Sequence, residues 1–150
     1  MRTFRNHLQT VLPDAIFLMA QSNEKDTDSR IEHLGQRLAN EVQDFIFTNL
    51  CGARRPSNGK KMFLQKLSFI GHSLGGIIVR EALKSLGAFR NKMHAYISLG
   101  SPHLGYMYNS SSLVDAGMWL IKKWKSSDSL KQLSMSDVAD KEECFLFKLS

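Results

Sequence analysis

Cysteine and proline are scarce in this chain of 150 residues, which holds two of the first and three of the second. Cys51 and Cys144 lie far apart with no metal-type spacing around them. This argues against a disulfide framework and for reduced thiols in an intracellular, cytoplasmic protein. Long apolar runs are missing as well. "AIFLMA" at 15–20 and "MWLI" at 118–121 fall far short of the roughly 20 residues a spanning helix needs, so no transmembrane segment is expected. The stretch "FRNHLQTVLPDA" has no apolar run of about 7–15 residues, which argues against a secretory signal. The sequon-like "NSS" at 109–111 then carries no weight. No internal repeat, low-complexity linker, glycine-rich phosphate loop or metal-type cluster of His, Asp, Glu or Cys is found. One domain over residues 1–150 is therefore expected, with no cofactor and no metal.

Acidic residues are the minority charge, 14 Asp and Glu against 20 Lys and Arg, for a formal net charge of +6. The excess sits in two clusters, Arg54, Arg55, Lys60 and Lys61, then Lys122, Lys123 and Lys125. Neither carries a nucleic-acid reading motif, so a nucleic-acid partner is not expected. The first cluster lies in "CGARRPSNGKK" (51–61), whose Gly, Pro and Asn-Gly mark an exposed loop with solvated charges.

What is present, at 43% hydrophobic residues, is enough apolar material for an ordinary core. Phe4, Leu8, Val11 and Leu12 recur at helical spacing over 3–13 and stop at Pro13, predicting a helix. The continuous apolar run of 14–20, "DAIFLMA", predicts a strand buried on both faces. Ile31, Leu34, Leu38, Val42, Phe45 and Ile46 predict a second helix, opened by a capping box of Ser29 and Glu32. A strand over 63–71, a helix over 74–86 with Ile77, Ile78, Ala82 and Leu86 inward, and a strand over 93–100 follow. The last third, from Ser112, reads as helical and ends in the apolar "CFLFKLS". Alternating strands and helices predict an α/β fold, a parallel sheet with helices on both faces.

The chemistry-bearing motif is "GHSLG" at 71–75, a G-x-S-x-G between a predicted strand and a predicted helix. That context is the nucleophile elbow: a strained strand-to-helix turn lifts the Ser73 hydroxyl out of the sheet, and Gly71 and Gly75 spare their Cβ atoms. Charge developing there meets the helix N-terminus, with the Leu74 N–H placed to donate to an oxyanion. The bland alternative is a serine that caps a helix after a tight turn. His72 is expected to point away from the site. His103, in "GSPHLG" after the next strand, is a candidate pocket residue or base, with Asp115, Asp128, Asp137 or Asp140 as its conceivable acid; its bland reading is a polar turn residue. His7, His33 and His94 have no motif around them and read as surface or packing residues.

Two stretches, "LSFIGHSLGGIIVREAL" and "YISLGSPHLGYMYNSSSLVDAGMWLIKKWKSSDSLKQLSMSD", resemble the putative serine esterases, a lipase-like α/β-hydrolase family, and the similarity runs over about 13–150. The resemblance implies Ser73 as nucleophile, the Leu74 amide as half of the oxyanion hole, and hydrolysis of a carboxylic ester, a lipid among the candidates. In that architecture the acid and then the histidine follow on loops after later strands. Neither those strands nor the early strands with the second oxyanion loop are found in the sequence. The expected fold is thus an incomplete α/β-hydrolase-type sheet lacking early and late strands, with the triad acid and base not encoded. Its exposed sheet edges would call for a protein partner. Within "SSLVDAGMWLIKKWK", Trp119, Lys122, Lys123 and Trp124 suggest either peripheral membrane contact or an ordinary helix packed on the sheet. Two rival functions stay open beside the esterase: a noncatalytic binding module that keeps the elbow as architecture, and a membrane-surface module.

Overall fold

A computed structural model describes residues 2–51, 63–105 and 127–150. The predicted first helix is present as α1 (Arg2–Val11), ended by Pro13, and none of its residues is buried. The strand predicted over 14–20 is not formed. After a turn at Pro13 and Asp14 this segment runs without regular structure, with Ile16 and Met19 exposed. An apolar run becomes a strand only when a neighbour accepts its ladder hydrogen bonds. Here the chain is tied down sideways instead, the Gln21 and Ser22 N–H groups donating to the Glu41 carboxylate.

Glu41 belongs to α2 (Ile31–Ile46), which buries Ile31, Leu34, Leu38, Val42 and Ile46 at the spacing the sequence shows. Its start differs from the expected capping box. The Ser29 hydroxyl and N–H both go to the Asp26 carboxylate, and Glu32 turns back to the Arg30 side chain. Asp26 is held down to about 2 by the Ser29 hydroxyl first and by Arg37 next. The helix is capped instead from 101 positions away: the Ile31 N–H donates to Gln132 Oε1 at 2.6 Å while Gln132 Nε2 donates to Glu32 Oε2 at 2.7 Å. Gln132 is fully buried, so its loss leaves a helix-terminal donor without water or partner. Gln132→Ala is expected to cost about 1–3 kcal/mol. A lowered urea midpoint with an unchanged slope would show it, and an unmoved midpoint would refute the cap.

The remaining elements form one β–α–β unit. Strand β1 (Leu67–His72) leads into α3 (Leu74–Ser85), a 3₁₀ stretch (Gly87–Lys92) follows, and β2 (Met93–Leu99) pairs parallel to β1 with Phe69 opposite Tyr96 and Gly71 opposite Ser98. Residues 63–66, predicted as the start of β1, lie outside the ladder. Helix α3 buries Ile77, Ile78 and Ala82, as its pattern predicts, on the sheet face that carries Phe69 and Gly71. Its other side meets α2 closely enough that a Cβ on Gly35 would lie 2.8 Å from Glu81 Cβ, and Gln43 Nε2 donates to the Ser85 carbonyl. Helices α2 and α3 therefore pack on each other, with α3 against the sheet.

Helices on both faces were the expectation. Among the described residues the sheet has two strands, and on the face away from α3 Ile97 and Leu99 remain 45% and 37% exposed. The architecture is a small parallel sheet flanked by helices, compatible with the α/β class.

Two short helices close the core, α4 (Asp128–Leu133) and α5 (Phe145–Leu149). Leu133, Cys144, Phe145, Leu146 and Leu149 join the α2 and α3 side chains, and Arg80 Nη2 donates to the Leu149 carbonyl. The basic loop beyond Cys51 and the Trp and Lys segment, with Trp119, Lys122, Lys123 and Trp124, lie outside the described residues. Among the described residues no helix is long and apolar enough to cross a membrane.

Candidate active site

β1 ends at His72 and α3 starts at Leu74, which leaves one residue, Ser73, to turn the chain from strand to helix. Ser73 does so with φ 54° and ψ −128°, a conformation that L-residues avoid and that costs about 1–3 kcal/mol. Two backbone bonds hold it there. Its N–H donates to the Leu99 carbonyl at 2.9 Å, carrying the β1–β2 ladder one residue further, and its carbonyl accepts from the Gly76 N–H at 3.1 Å.

The glycines divide unevenly around it. A Cβ on Gly71 would lie 2.5 Å from Gly76 Cα and 2.6 Å from Gly76 N, so strand and helix backbones touch at this pair. At Gly75, expected to be the second glycine that must spare its Cβ, an added Cβ would meet nothing within 4 Å among the described residues. The requirement falls on Gly76, where a Cβ would lie 2.6 Å from Ser98 Oγ and 2.7 Å from Ser101 Cβ. The double glycine at 75–76 was visible in the sequence. Which of the two packs was not.

Ser73 and Leu74 are half-buried, and His72 is exposed at the end of β1. The Leu74 N–H opens α3 and has no intrahelical acceptor. Among the described residues the Ser73 hydroxyl takes no hydrogen bond.

His103 is half-buried nearby, but its partner is another serine: Nε2 lies 2.7 Å from Ser98 Oγ, and its ring stands edge-on to Tyr96 with centroids 6.2 Å apart. Tyr96 in turn donates its hydroxyl to the Gly76 carbonyl at 2.6 Å. Tyr96, Ser98 and Gly76 escaped the sequence reading, the first two because strand alternation alone does not single them out.

The acids weighed for His103 are engaged elsewhere. Asp128 pairs with Lys131, Asp137 accepts from the Phe145 N–H, and Asp140 accepts from the Glu142 N–H. Asp115 lies outside the described residues. His7 bonds the Thr3 carbonyl, His94 meets Ser68, and both are exposed, as is His33. Among the described residues no group of three or more His, Cys, Asp or Glu could hold a metal ion. An open cavity of about 530 Å³ between Gln21 and Asp44 is lined by none of the residues around Ser73.

Fold and site together define an α/β protein whose parallel sheet delivers a serine, in strained backbone, to the head of a helix. The chain belongs to the family described as "Putative serine esterase", whose model matches residues 1–150. No solved structure matches the chain.

Proposed function

We propose that Ser73 is the nucleophile of a carboxylic ester hydrolase of the lipase-like α/β-hydrolase type, working through an acyl-enzyme. The observation that carries this reading is the positive φ of Ser73 at a strand-to-helix turn, because a serine that merely caps a helix sits in ordinary extended backbone and bonds the first turn with its side chain. Neither holds at Ser73, which makes no capping hydrogen bond.

In the first step Ser73 Oγ adds to the ester carbonyl carbon while its proton passes to a base. The Leu74 N–H and the N-terminal end of α3 face the oxyanion, and one such donor contributes about 10²–10³ in rate. Collapse of the tetrahedral intermediate expels the alkoxide, which takes up that proton and leaves as the alcohol. Water then adds to the acyl-serine and releases the acid, restoring the hydroxyl. The general base and its acid are assigned to none of the described residues. A lipid ester is the finer substrate reading, and the buried free thiol of Cys144 supports an intracellular setting.

Acyl transfer from p-nitrophenyl esters of increasing acyl length tests the proposal. The chain extended at both ends is expected to gain the mass of one acyl group as nitrophenolate is released, and the same gain by the chain alone would place a base among these 150 residues. Ser73→Ala is expected to slow that step at least about a thousandfold. Equal acylation of wild type and Ser73→Ala would overturn it.

A further inference from the structure

A strained φ persists only where its surroundings over-determine it. The carbonyl of Ser73 is bonded to Gly76, so whatever fixes Gly76 fixes the turn. Two side chains of β2 reach it, Tyr96 through its hydrogen bond to the Gly76 carbonyl and Ser98 with its hydroxyl 2.6 Å from where a Gly76 Cβ would stand. A single residue holds both of them. His103 bonds Ser98 Oγ with Nε2 and sets its ring against the edge-on Tyr96.

The loop is built to bring it there. Gly100 at φ 59° and Gly105 at φ 76° bend the chain back, and the turn is closed by hydrogen bonds from His103 N to the Ser101 carbonyl and from Gly105 N to the Pro102 carbonyl. His103 thereby returns to Ser98, five residues earlier. Without it the half-buried Ser98 hydroxyl would lose its partner beside that of Ser101, which among the described residues is buried with none, and both face Gly76.

We infer that His103 is a positioning residue for Ser73, acting through Ser98 and Tyr96 on the first turn of α3. Its effect on acylation rests on the reading of Ser73 as nucleophile; its effect on the turn does not. The device also orients the Leu74 N–H, since that group rides on the same turn.

Amide hydrogen exchange at Ser73 and Gly76, with Leu38 in α2 as internal reference, reads the turn directly. Fluorophosphonate labelling of Ser73, on the chain alone and extended, reads its chemistry. His103→Ala is expected to speed exchange at Ser73 and Gly76 about tenfold, the opening that one hydrogen bond of ordinary net strength would suppress. Leu38 should not change. Ser98→Ala should give the same acceleration, the double variant no more, and His103→Gln, which can still donate to Ser98, should recover to within about threefold of wild type. Labelling should follow the same order.

Unchanged exchange in both His103→Ala and Ser98→Ala would overturn the inference. So would a His103→Gln variant whose exchange recovers while its labelling stays as low as in His103→Ala, because His103 would then be moving a proton. If His103→Ala loses protection at Leu38 as well, Ser98→Ala and His103→Gln decide. A folded wild type that does not label at either length would defeat the nucleophile reading alone, with the exchange pattern still deciding the positioning role.

Discussion

Gly71→Ala is expected to destabilise the protein by about 3 kcal/mol or more, the upper end of what overpacking costs. The added methyl would meet Gly76 Cα at 2.5 Å and Gly76 N at 2.6 Å, which are backbone atoms that no rotamer change can move. Room can be made only by lifting the first turn of α3 off the sheet. That movement stretches the Gly76 N–H bond to Ser73 and the Tyr96 bond to the Gly76 carbonyl, so the steric cost brings hydrogen bonds with it. Gly75→Ala provides the contrast. Its methyl meets nothing within 4 Å among the described residues, and alanine is favoured over glycine in a helix by up to about 1 kcal/mol, so this variant should be neutral or slightly stabilised. Urea midpoints of the two variants measure the difference. Equal midpoints would mean that strand and helix do not meet at Gly71 and Gly76.

Ser73→Gly is expected to raise stability while abolishing acylation. Glycine adopts positive φ without the Cβ penalty, relieving the roughly 1–3 kcal/mol stored at φ 54° and ψ −128°. Against this stands about 0.5–1 kcal/mol of extra backbone entropy in the unfolded chain. The net gain should be on the order of 1 kcal/mol. Ser73→Ala loses the hydroxyl equally but keeps the strained Cβ, so the glycine variant should be the more stable of the two by thermal or urea unfolding. If alanine is as stable as glycine, the strain is no more than the roughly 0.5–1 kcal/mol that glycine loses in entropy, and the main support for Ser73 as a nucleophile is weakened accordingly.

The sequence made the local elements legible and left the tertiary ones hidden. Helices α2 and α3 were readable because Ile31 to Ile46 and Ile77 to Leu86 record burial in their own periodicity, and strand β2 because 93–100 is a short apolar segment closed by glycine. The turn at Ser73 was readable because glycine on one side and a helix on the other are local requirements. The run at 14–20 misled because apolar content alone guarantees neither burial nor a hydrogen-bonded neighbour, and among the described residues this segment holds no fully buried residue and pairs with no strand. Ser29 and Glu32 have the spacing of a capping box, yet Gln132 takes the helix end, and no window of local sequence contains a residue 101 positions away. Gly76 outranks Gly75 for a similar reason, since the choice depends on Ser98 and Ser101 arriving from β2 and its loop. His103 was visible as a polar residue near the site. Its partner Ser98 was not, because only the backward bend between Gly100 and Gly105 brings the two together.

The most direct test of Ser73 as the nucleophile is peptide mapping of the adduct left by a fluorophosphonate, on this chain alone and extended at both ends, with folding of each confirmed by circular dichroism. A single adduct on Ser73, absent from Ser73→Ala, is the predicted result. An adduct on another residue, or none on either folded length, would contradict it.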